Sequence, residues 1–61
     1  MSSQHIGNMD AGGTLTCPAQ NCTNNRTFRN AEIDNNNTVT ATCSSCGQRF
    51  SQTATGVVTL H

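Results

Sequence analysis

Four cysteines in two close pairs constrain this 61-residue chain more than any other feature of it. They stand at Cys17 and Cys22 and at Cys43 and Cys46, giving C-x4-C, a gap of twenty residues, and C-x2-C. A short chain needs such a device, because below roughly 70–80 residues a single apolar core rarely suffices. Here the shortage is acute. Leu, Ile, Val and Phe number nine (Ile6, Leu15, Phe28, Ile33, Val39, Phe50, Val57, Val58 and Leu60), and there is no Trp or Tyr. Burying all nine recovers less free energy than ordering the backbone costs.

Four thiols offer two kinds of staple, a pair of disulfides or one metal ion. The opening MSSQHIGNMDAGG has no basic start and no apolar run, so it does not read as a signal peptide. The chain is therefore expected to be made and kept in the cytoplasm, a reducing compartment where paired cysteines are more often metal ligands than bridges. Two disulfides and an iron site with four thiolates are the alternatives. Asn-x-Thr triplets at Asn21, Asn25 and Asn36 say little, because eight Asn and fifteen Ser or Thr residues yield about two Asn-x-Ser/Thr triplets by composition alone.

Residues 1–13 are polar and contain Gly7, Gly12 and Gly13. They read as a flexible N-terminal arm, with Ile6 and Met9 able to dock on a neighbour, ahead of a domain spanning 14–61. Between the cysteine pairs, alternation predicts a hairpin: Ala31 and Ile33 share one strand face, and Val39, Ala41 and Cys43 share one face of the return. Pairing Ile33 with Val39 also pairs Ala31 with Ala41 and Arg29 with Cys43. It leaves Asn35-Asn36-Asn37 as the loop, with Asn37 in the left-handed conformation. Gln48 to Thr53 reads as a third strand carrying Phe50, and Gly56 separates it from a short apolar segment, Val57 to Leu60. No helical period is present.

This arrangement resembles the zinc-ribbon family of four-cysteine zinc fingers, in which two cysteine knuckles are joined by a β-hairpin and followed by a third strand. The matching residues are Cys17-Pro18, Cys22, the hairpin centred on Asn36, and Cys43-Ser44-Ser45-Cys46-Gly47 followed by Phe50; the first knuckle, with four intervening residues, is longer than the commoner two. The resemblance implies a small metal-stabilised all-β fold and one structural Zn²⁺ held by Cys17, Cys22, Cys43 and Cys46. His5 and His61, one near each end of the chain, read as solvated side chains outside that closed ligand set.

Asp10, Glu32 and Asp34 are too scattered to form a catalytic pair, so neither an enzyme nor a small-molecule substrate is expected, and no membrane span is present. With no lysine and only Arg26, Arg29 and Arg49, the chain has few groups with which to neutralise phosphates. Its formal charge is zero, and four thiolates around Zn²⁺ add about −2. Only 10% of residues are charged, and the surface implied is neutral and hydrogen-bonding. These features predict a structural or interaction module packed against the protein subunits of a larger assembly, such as a viral or phage particle, and incorporated into the virion in that case. A nucleic-acid-binding or transcription-associated accessory protein is the alternative, resting on the family resemblance. The arginines separate the two: folded around the sulfurs, with Arg49 foremost, they favour the first, and gathered on an open face they favour the second.

Overall fold

In the computed structural model, described here for residues 4–61, the chain forms one antiparallel sheet of five strands in the order of the sequence. The strands are β1 (Gln4–Asp10), β2 (Thr27–Ile33), β3 (Val39–Cys43), β4 (Arg49–Gln52) and β5 (Val58–Leu60). No helix among the described residues is long and apolar enough to cross a membrane.

One face of the sheet carries the core. Phe28, Ala31, Ala41, Cys43 and Phe50 point to it and are buried, and Leu15 and Cys17, from the long β1–β2 connection, cover them. That connection is pinned back on itself by Ala11 N–H to Arg26 C=O (2.6 Å), Gly13 N–H to Asn25 C=O (2.9 Å) and Cys17 N–H to Asn24 C=O (2.9 Å). The rings of Phe28 and Phe50 meet edge to face, with centroids 5.6 Å apart and planes at 71°, the arrangement their quadrupoles favour. They come from strands on either side of β3, and fully buried Ala41 is small enough to sit between their strands.

The hairpin tip follows the expected register. Ile33 pairs with Val39, and Asn37 has φ of 60°. Asp34 fixes the turn by accepting from the N–H groups of Asn36 (2.9 Å) and Thr38 (3.0 Å) through Oδ1, an Asx turn. Further along, the register departs from the expectation: Arg29 pairs with Thr42, and Phe28, not Arg29, stands opposite Cys43. One extra residue has entered β2 between Arg29 and Glu32, where Asn30 takes a left-handed φ of 51°. Strict alternation would send Phe28 and Ala31, three apart, to opposite faces; the bulge brings both inward.

Residues 4–10, expected within a flexible arm, instead form β1 along β2, with Met9 opposite Phe28 and Gln4 opposite Ile33. Gly7, at φ of 79°, absorbs a second irregularity between His5 and Met9 that keeps β1 in step with the bulged β2. The edge that this segment was expected to find on a neighbour is supplied by its own chain. Residues 1–3 of the expected arm lie outside the described residues. The segment after Gly56 is likewise a strand, β5, with Leu60 opposite Phe50 and Val58 opposite Gln52.

Candidate metal centre

The two cysteine pairs reach one point by different routes. Cys17 and Cys22 belong to the folded-back β1–β2 connection, where a turn is closed by Cys22 N–H to Ala19 C=O (3.2 Å) and Asn21 adopts φ of 66°. Cys43 ends β3 and Cys46 follows in the turn to β4. That turn is closed by Gly47 N–H to Cys43 C=O and Cys43 N–H to Gln48 C=O, both 2.9 Å. Gly47 has φ of 80°, which a side chain would resist.

The sequence-predicted ligands all meet. The four Sγ atoms lie within 4.8 Å of one another, and all four cysteines are free thiols. The closest contacts run between the pairs, Cys17 to Cys46 at 3.5 Å and Cys22 to Cys43 at 3.7 Å. A tetrahedral ion with metal–sulfur bonds near 2.3 Å, as for zinc, requires sulfurs about 3.8 Å apart. The four cysteines are thus positioned to bind a metal ion.

Donors converge on the sulfurs. Cys43 Sγ accepts from the N–H groups of Ser45 (3.3 Å) and Cys46 (3.4 Å) and from Asn24 Nδ2 (3.2 Å). Backbone N–H groups of Ala19 and Asn24 serve Cys17 and Cys22 in the same way. Burial would push the Cys43 thiol up, but the bonds from Asn24, Cys46 and Ser45 outweigh it and bring its pKa down to about 6. At Cys17 burial prevails, helped by the neighbouring thiols, and the pKa rises to about 12. For Cys22 the Asn24 N–H is the largest single influence and lowers the pKa, as does Cys17; burial, Cys46 and Cys43 together outweigh them and the net direction is up. Four sulfurs this close cannot all ionise without a cation among them.

Asn24 is the site residue that sequence reasoning missed. Besides touching Cys43, its Nδ2 donates to Thr27 C=O (2.6 Å), and its Oδ1 accepts from the N–H groups of Arg26 (3.2 Å) and Thr27 (3.4 Å). It ties the first cysteine pair, the start of β2 and the second pair together. Its position two residues after Cys22 was the available signal. Thr27 and Ser44 add a second tie, with hydroxyls 2.6 Å apart and Ser44 Oγ donating to Thr27 C=O at 2.7 Å.

Arg49 is not folded against the sulfurs as expected. Arg49 points to the other face of the sheet, where Nη1 donates to Thr42 Oγ1 (2.9 Å) and Asn30 C=O (3.4 Å), and Nη2 lies 3.7 Å from Glu32. The reason is alternation: buried Phe50 fixes its neighbour outward. His5 lies 3.7 Å from Glu32 and His61 Nε2 is 2.9 Å from Ser51 Oγ; neither histidine is part of the sulfur cluster.

No family model matches the chain, and neither a curated protein nor a solved structure matches it significantly.

Proposed function

We propose that the chain is a zinc-ribbon module in which one Zn²⁺, held by Cys17, Cys22, Cys43 and Cys46, maintains a fold whose role is structural or interactive within a larger assembly, without catalysis. The observation that carries the metal is the convergence of four sulfurs within 4.8 Å, fed by backbone donors, in a chain where two of the seven buried apolar residues are themselves cysteines. Structural zinc in small domains contributes roughly 10–16 kcal/mol of apparent free energy, which is folding free energy when no site exists in the unfolded chain. A protein partner is supported by the low charge content and by the apolar side chains left exposed on β5.

A second reading, binding to nucleic acid, is favoured by one specific observation. Arg29 and Arg49 flank Thr42 in a single cross-strand row on the outer face, away from the core. An open groove of about 530 Å³ lies beside Arg29, lined also by Asn8, Met9, Asp10, Thr27, Phe28 and Ser44. With three arginines and no lysine the electrostatic contribution is small, so this reading ranks second.

Native purification of the tagged chain from its own cells tests both. A protein recovered in fixed proportion with zinc-loaded chain supports the first reading; nucleic acid that nuclease removes supports the second. Recovery of the chain with neither contradicts both.

A further inference from the structure

Strand β5 closes one side of the sheet, and its outer backbone edge meets no other strand among the described residues. The large exposed apolar side chains among the described residues gather there: Val57 is 60% exposed, Val58 42% and Leu60 56%, with Ile6 alone on the opposite edge. Proteins normally defend an open edge with charge, proline or a bulge. Strand β1 has such defences in His5, Asp10 and the irregularities around Gly7. From Thr53 to Leu60 there is no charged residue and no proline, and the β4–β5 register runs without a shift.

The hydrogen-bond parity of β5 says what the edge can accept. His61 N–H donates to Arg49 C=O and Thr53 N–H to Val57 C=O, both at 2.9 Å. Antiparallel ladders alternate, so Thr59, midway between and opposite Ser51, also turns its backbone groups toward β4. Val58 and Leu60 therefore turn theirs outward. These two residues are placed symmetrically about Thr59, and their side chains lie on the core face, opposite Gln52 and Phe50.

We propose that β5 pairs antiparallel with β5 of a second copy, about a two-fold axis at Thr59, to form a homodimer with one continuous sheet. Val58 of each chain stands opposite Leu60 of the other, and all the outward N–H and C=O groups of the two residues are satisfied. Four apolar side chains close over the joint and extend the core face across it. The absence of charge from Thr53 to Leu60 means that placing the segment against itself brings no like-charge repulsion, the usual obstacle to self-pairing. The isologous contact closes on itself, whereas β5 against β1 of the next copy would propagate. The pairing draws on the same exposed β5 side chains that support a protein partner above and makes a second copy that partner, whereas the metal reading rests on the four cysteines and is tested apart from it.

The test is sedimentation velocity of the full, zinc-loaded chain from roughly 10 μM to 1 mM, the range in which a small interface is populated. The expected result is a rise in mass from one chain toward two, with isotope-filtered contacts between Val58 of one copy and Leu60 of the other. Val58→Glu, at a side chain already exposed in the single chain, weakens association at least about tenfold with metal content unchanged. A single-chain mass up to 1 mM overturns the proposal, as does a Val58→Glu chain that pairs like the original. Growth beyond two copies also overturns it, since that is the signature of β5 adding to β1.

Discussion

Phe28 stands directly opposite Cys43 across the β2–β3 ladder. The ring that packs on Phe50 and a thiol of the sulfur cluster therefore share one cross-strand position, so the core and the sulfur cluster are joined by the same pairing. Whatever fixes that register acts on both, and the register shifts between Arg29 and Glu32, where Asn30 is left-handed.

Asn30 in the left-handed region is tolerated because its short amide side chain suits that backbone better than most. Asn30→Gly is expected to retain or raise stability, and Asn30→Val to lower it by about 1–2 kcal/mol through strain at the bulge. Denaturant unfolding of the zinc-loaded variants measures both. Equal stability of the two would show that the bulge does not set the register.

Ala41 lies fully buried between the strands that carry the two rings. Ala41→Leu has no room and is expected to cost about 1–3 kcal/mol, whereas Phe50→Ala, which leaves a cavity, is expected to cost about 3–5 kcal/mol. Thermal unfolding with metal in excess reads the difference. An Ala41→Leu chain as stable as the original would mean the core is looser than described.

Asn24→Asp exchanges a donor at Cys43 for a carboxylate beside the sulfurs. Removal of an outer contact of this kind lowers metal affinity about 10–100-fold, and the added negative charge acts in the same direction. Competition against a chromophoric chelator measures it. Unchanged affinity would reduce Asn24 to a turn former.

Much of this was legible in the sequence, and the exceptions have a common cause. Cysteine spacing identified the four thiols, and alternation placed Ile33 against Val39 and Phe50 on a strand, because local pattern and final structure agree there. Pattern reading assumes an unbroken period of two. The bulge at Asn30 inserts a residue, so Phe28 and Ala31 share the core face at a spacing of three that no regular strand produces, and the register shifts around Gly7 interrupt the period of β1. That concealed both the Phe28–Cys43 pair and the whole of β1. Arg49 was misplaced for a different reason: closeness to Cys46 in sequence suggested closeness to the sulfurs, but Phe50 takes the core face and turns Arg49 to Glu32 and Thr42.

The central claim is that one Zn²⁺ at the four cysteines holds the fold, and native mass spectrometry paired with circular dichroism before and after chelation tests it most directly. The account predicts one zinc per chain and loss of the β-sheet spectrum when chelator removes it, with recovery on adding zinc back. A chain that carries no metal, a mass lower by the four hydrogens of two disulfides, or a sheet spectrum that survives complete removal of zinc would contradict it.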